Sequence, residues 1–127
     1  MRLFCYYKPM QRLLTGIQPS GALHIGNYFG ALKPFIEMSR GCNSMLMVAD
    51  YHALTTIHDP AQLHENMINI ARDYLAVGIN PQKDILFKQS DVPEHMELAW
   101  IFQCLVSVSF LELAHAYKKY QELKKEK

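Results

Sequence analysis

The chain has 127 residues, half of them hydrophobic, and a net charge of +1 at pH 7. That length allows one compact domain with a sizeable core, and the balanced charge points to no strongly acidic or basic partner. No apolar run reaches the roughly 20 residues a membrane-spanning helix needs. Three cysteines, Cys5, Cys42 and Cys104, are an odd number without CxxC spacing. They exclude a disulfide framework or zinc site and favour a reducing, cytoplasmic compartment. No two of the histidines at 24, 52, 58, 64, 95 and 115 are three or four residues apart, so a helical metal pair is unsupported.

The start, MRLFCYYKPM, is basic and partly apolar. It reads as an extension over residues 1–11, either a frayed terminus or a poor organellar targeting segment. Arg12–Gly16 is the first expected strand. The turn Gln18-Pro19-Ser20-Gly21 follows, with Pro19 fixing its own φ and Gly21 permitting a backbone that other residues avoid. From Leu23 to Ser39, apolar residues recur at helical spacing (Ile25, Phe29, Leu32, Phe35, Ile36). Pro34 inside that pattern predicts a kink or local distortion.

Ser44–Ala49 is apolar on both faces, as a central parallel strand is, and ends in Asp50-Tyr51-His52. Asp59 is a good N-cap, with Pro60 at the first helical position and Gln62 completing a capping-box-like pattern. Leu63, Met67, Ile70, Ala71 and Tyr74 form one face of the helix that follows, which Gly78 ends. Asp84–Gln89 reads as a third strand. A helix opened by Ser90-Asp91-Val92-Pro93 runs to about Ser107, and a last helical stretch runs from Phe110 into the lysine-rich end. Strands alternating with helices over short connections indicate an α/β domain with a parallel sheet. Its sites belong at the carboxyl ends of the strands.

Three segments fall at those ends. The first, Thr15–Tyr28 (TGIQPSGALHIGNY), passes from strand to glycine turn to helix start. Such an arrangement presents N–H donors and a partial positive charge to a phosphate. It is neither a P-loop nor a GxGxxG fingerprint. It reads either as a nucleotide cradle in which His24 donates to phosphate oxygens or as a glycine-rich turn with a capping histidine. The second, Asp50-Tyr51-His52, is a polar trio ending a buried strand, or a strand terminus with a satisfied histidine. The third, Lys88-Gln89-Ser90-Asp91, reads best as a helix cap plus a solvated lysine. Beyond these, Met96, Trp100, Cys104 and Val108 form a four-residue-spaced stripe expected to be core or subunit interface. Lys118, Lys119, Lys124, Lys125 and Lys127, interspersed with Glu122 and Glu126, read as a solvated helix face rather than a phosphate-binding patch.

GIQPSG followed by HIGN resembles the class I aminoacyl-tRNA synthetases, in the form of the HIGH signature typical of the tryptophanyl enzymes. The resemblance continues through MVADYHALTT (47–56), YLAVGINP (74–81), LFKQSDVPEHMELAW (86–100) and LE…AHAYK (111–118). It implies a Rossmann-like parallel sheet with flanking helices, with residues 12–127 forming the N-terminal part of the nucleotide-binding catalytic domain. The implied activity is that of a tryptophan–tRNA ligase. Tryptophan is activated with Mg2+·ATP to the adenylate and transferred to tRNA(Trp) by a homodimeric enzyme with no tightly bound metal.

The matched positions carry the implied roles. Gln18, Pro19 and Ser20 fall on the first ATP-contacting turn. His24, Gly26 and Asn27 fall on the signature that holds adenosine and phosphates, with His24 and Asn27 as the catalytic pair. Asp50 and His52 fall beside the amino-acid pocket. Tyr120 stands where a functional lysine is often found, and Leu113 replaces a usual arginine. The segments that carry the indole-recognising acid, Gly-x-Asp-Gln, the Lys-Met-Ser-Lys-Ser loop and the anticodon-binding domain are not among these residues. The chain is therefore expected to be a fragment that is poorly active alone. Competing readings are a tyrosyl-type enzyme, another HxGH-type nucleotidyltransferase, and a non-catalytic truncated paralogue acting as a binding module.

Overall fold

A computed structural model describes residues 11–113 and residue 118. Three parallel strands, β1 (Arg12–Ile17), β2 (Asn43–Val48) and β3 (Ile85–Lys88), form one sheet in the order β1-β2-β3. Ile17 pairs with Val48, and Val48 pairs with Lys88. The three strands therefore end abreast, and the loops opening at Gln18, Ala49 and Gln89 leave the sheet side by side. That is the α/β arrangement the alternating pattern implied, with strand bounds shifted by a residue.

The helix after β1 is one continuous run in three registers: α1 (Ile25–Asn27), a π-helical turn (Tyr28–Leu32) and α2 (Lys33–Met38). The expected distortion at Pro34 takes this form. Proline has no N–H to give the carbonyl four residues back. The turn before it widens, so that the Lys33 N–H bonds the Tyr28 carbonyl. The turn after β2 holds a short helix that periodicity did not show, α3 (Asp50–Ala53). Next comes α4 (Pro60–Ala76), capped by Asp59, whose carboxylate accepts the Ala61 N–H at 3.0 Å.

A sheet that runs 1-2-3 through right-handed crossovers receives both helices on one face. The core is built accordingly. Ile17, Leu46 and Val48 from the sheet meet Leu32 and Phe35 from the first helical run and Ile70 and Tyr74 from α4. Tyr74 is fully buried, and its hydroxyl donates to the Met47 carbonyl at 3.2 Å. Burial pushes its phenol well above the usual pKa of 10.0. The opposite sheet face is half open, with Leu14 55% and Ile85 57% exposed.

At the amino ends of the strands, buried Asp84 accepts from the Ser44 hydroxyl and, at 3.1 Å, from the Asn80 N–H. This ties the loop before β3 to the start of β2.

Two compact units divide the chain at Val92 and Pro93. The second contains α5 (Glu94–Leu105) and α6 (Val108–Leu111), the latter capped by Ser107. The stripe expected as core or subunit interface is not part of the chain's own core. Met96 is 47%, Trp100 67% and Val108 61% exposed, with Cys104 also exposed. Helical spacing marks a shared face but not what covers it, and neighbouring Leu98, Phe102 and Leu105 are exposed as well. Apart from Lys118, the lysine-rich end and Tyr120 lie outside the described residues, as do residues 1–10 of the expected extension.

Candidate functional site

The loop after β1 is held from below and from the side. Pro19 is fully buried, and its carbonyl accepts from Asn66 of α4 at 3.1 Å. Ser20 and Gly21 follow, with Ser20 exposed and Gly21 at φ 149°, a backbone that favours glycine. Pro19 thus fixes the turn, and Ser20 presents it to solvent.

The chain then enters the helix at His24, and the entry is a closed capping box. The Gly26 N–H donates to His24 Nδ1 at 3.1 Å, and the His24 N–H donates to Asn27 Oδ1 at 3.0 Å. The two sequence readings of this stretch are therefore not exclusive. His24 is a capping histidine, and the cap uses two of the backbone donors that an open helix end would offer a phosphate.

The cap also sets the chemistry of the ring. With Nδ1 accepting, the neutral imidazole carries its proton on Nε2. His24 is exposed, so this orientation leaves a fixed N–H donor facing away from the helix. Gly26 makes it possible. A Cβ there would stand 2.9 Å from His24 Nδ1 and Cε1. A hollow of about 240 Å3 lies alongside, lined by Leu23, His24, Tyr28 and Asp73 among others.

The second and third loops interlock with the first. Asp50 is buried, and its Oδ1 accepts from the Tyr51 N–H at 3.1 Å and the Ser90 N–H at 3.0 Å. The carboxylate is thus engaged with backbone. His52 is exposed, and its N–H donates to Gln89 Oε1 at 3.2 Å. Gln18 Nε2 donates to Thr56 Oγ1 at 3.2 Å and to the His52 carbonyl at 3.4 Å. Gln18, Ser20, His24, Gly26, Asn27, Asp50 and His52 thus gather on the loop system at the carboxyl end of the sheet.

Sequence reasoning missed Asn66, Thr56 and the pairing role of Gln89. Their partners lie 37 to 47 residues away. Asp91 caps the turn after β3, as the sequence implied, and Lys88 is half exposed. Asp91 caps the Lys88 N–H at 3.1 Å and pairs with its ammonium at 3.0 Å. That bond and the carboxylate's charge hold the Lys88 pKa above its usual value, and the same partner holds Asp91 below its own. A larger hollow of about 490 Å3 lies near Gln11, Arg12 and Cys42, at the amino ends of the strands, away from this constellation.

The family described as "tRNA synthetases class I (W and Y)" matches residues 8–127. The chain belongs to the class I tRNA synthetases. A tryptophan–tRNA ligase of Fusobacterium nucleatum is 50% identical over 109 residues, which are 86% of this chain and 34% of that protein. The crystal structure of a Campylobacter jejuni tryptophanyl-tRNA synthetase complexed with ADP and tryptophan superposes with a TM-score of 0.78 at 44% identity. It covers 88% of this chain and 35% of that one. A tyrosyl-tRNA synthetase of Archaeoglobus fulgidus, 18% identical with a TM-score of 0.62, shares the fold. The chain spans about a third of the length of the curated relatives it matches. The sheet and its helices are thus the Rossmann-like fold of class I synthetases.

Proposed function

We propose that this chain carries the ATP half, and part of the amino-acid side, of a tryptophan-activating site in a tryptophan–tRNA ligase. The observation that carries the reading is the closed cap at His24, in which Nδ1 accepts the Gly26 N–H and Nε2–H is left as the ring's donor. The relatives named tryptophan–tRNA ligase support tryptophan, ATP and tRNA(Trp) as the substrates.

In this chemistry a carboxylate oxygen of tryptophan attacks the α-phosphorus of ATP. The bond to the bridging oxygen breaks, and pyrophosphate leaves with the adenylate formed. A tRNA hydroxyl then attacks the carboxyl carbon of the adenylate, the bond to the phosphate oxygen breaks, and the departing AMP phosphate takes up the hydroxyl's proton. No acid or base on the protein is needed. The protein positions reactants and stabilises charge that develops on the phosphate oxygens. His24 supplies that stabilisation, Asn27 holds the His24 backbone, and Gly26 leaves the ring its room. Gln18 and Ser20 form the turn over which the nucleotide lies, and Pro19 anchors it. His52 and Asp50 border the amino-acid side, Asp50 by shaping the backbone there.

Among the described residues, no group of three or more His, Cys, Asp or Glu side chains could hold a metal ion. The reading takes Mg2+ to enter with ATP as part of the substrate complex. Among the same residues no helix is long and apolar enough to cross a membrane. A cytoplasmic enzyme fits the reading. A homodimer fits the exposed apolar residues of α5. Residues 12–127 would be the N-terminal part of the catalytic domain.

Equilibrium dialysis with labelled tryptophan and tyrosine, each with and without ATP, tests the assignment. Retention of tryptophan over tyrosine, strengthened by ATP, is expected. Equal retention of both would favour a tyrosyl-type or non-catalytic reading.

A further inference from the structure

The backbone of His52 is held at both of its polar groups by side-chain amides from the two flanking loops. Its N–H lies in the first turn of α3, where a helix has no internal acceptor for it. Gln89 Oε1, from the loop after β3, fills that role at 3.2 Å. Its carbonyl receives Gln18 Nε2, from the loop after β1, at 3.4 Å, and the Thr55 hydroxyl at 2.8 Å. Gln18 reaches the same turn again at Thr56 Oγ1, 3.2 Å away, and Asp50 Oδ1 receives the Ser90 N–H at 3.0 Å. β1 and β3 do not touch, since β2 lies between them. The loop after β1 and the loop after β3 are thus linked across the middle strand's turn through one residue.

We propose that Gln89 is a positioning residue that, together with Gln18, couples the nucleotide turn to the loop after β3 through the backbone of His52. The role rests on the ATP-site reading above, because Gln18 stands in the turn that receives the nucleotide. A nucleotide that draws on the Gln18 amide tightens or releases the His52 carbonyl. That shift passes through the peptide and α3 to Gln89 and to the Asp50–Ser90 bond. The amino-acid side of the site, where His52 and Asp50 sit, lies on this route. The physical condition for such coupling is that the two amides act on one shared element rather than on separate ones.

Amide hydrogen exchange of the 127-residue chain without ligand tests the link. Gln89→Ala and Gln18→Ala each lower protection of the His52 amide by about tenfold, the worth of one ordinary hydrogen bond. The double variant lowers it little further, because either loss frees the same turn. Gln89→Glu keeps an acceptor and restores protection. Unchanged exchange in Gln89→Ala, effects that multiply in the double variant, or no rescue by Glu would overturn the proposal.

An ATP titration followed by amide resonances separates the two claims. Shifts at Ser20 and Gly26 in the unaltered chain extend to Ser90 and Asp91, and in Gln89→Ala they stop short of them. Shifts that reach Ser90 in both chains would overturn the coupling. Absence of any shift at Ser20 and Gly26 would overturn the ATP-site reading, leaving the link to stand or fall on the exchange data.

Discussion

Gly26 and the ring of His24 share a space that holds only one of them plus a hydrogen atom. A Cβ on residue 26 would stand 2.9 Å from Nδ1 and Cε1 of His24. The glycine of the signature is thus explained first by the histidine two residues before it. A ligand lying on the helix end adds to that demand but is not needed to account for it.

Gly26→Ala should therefore separate stability from binding. The displaced ring costs about 1 kcal/mol of capping, while alanine for glycine within a helix returns about 1 kcal/mol. The urea midpoint should move little, while ATP affinity falls tenfold or more because the Nε2 donor is no longer fixed. His24→Asn makes the complementary case. Asparagine caps a helix as well as any residue, so stability holds and the outward donor is lost. Calorimetric ATP titration beside urea unfolding checks both.

Gly16→Ala should damage the sheet itself. The new Cβ would meet the Met47 carbonyl oxygen at 2.9 Å, a backbone atom of β2 that cannot swing aside. A loss of roughly 1–3 kcal/mol follows from overpacking of this kind, read as a fall in the urea midpoint.

Asp84→Ala removes the acceptor of both the Ser44 hydroxyl and the Asn80 N–H. The Ser44 hydroxyl is buried, so stranding it costs about 1–3 kcal/mol, and the Asn80 N–H, on an exposed residue, adds less. The variant should be among the least stable single changes, yet it lies at the end of the sheet away from the turn proposed to receive ATP. Unfolding curves should show the loss, and ATP affinity at a temperature where the variant stays folded should be unchanged.

The Lys88–Asp91 pair sets a pH window. Asp91 lies below the usual carboxylate value of 3.8, so its contribution is present above that pH and fades as pH falls through its folded value. Lys88 lies above its usual 10.5, so its contribution is present below that pH and fades as pH rises through its folded value. Between those limits the pair contributes a constant, small amount, both side chains being about half exposed. Difference curves between the unaltered chain and Lys88→Met should be flat from about pH 5 to 9.

Local pattern made the alternation of strands and helices, the Asp59 cap and the loops at the carboxyl ends legible, because apolar periodicity and capping residues act over a few positions. Pro34 announced a distortion, but which register the helix would take depends on which carbonyl receives the Lys33 N–H. The interlock of Gln18, His52 and Gln89 was not legible. A glutamine carries no local signature of a partner 34 or 37 residues away, and only the parallel register that ends Ile17, Val48 and Lys88 abreast brings them together. The buried Asp84 read as the start of a strand, since nothing nearby in sequence betrays its Ser44 partner.

The central claim is that the turn from Gln18 to Asn27 is the nucleotide cradle. ATP affinity of Gly26→Val set against Lys88→Ala, both beside the unaltered chain, tests it most directly. The account predicts that Gly26→Val abolishes binding by filling the space His24 occupies, while Lys88→Ala, which loses only a solvated ion pair, binds nearly as well as the unaltered chain. Equal losses in both variants, or full binding by Gly26→Val, would contradict it.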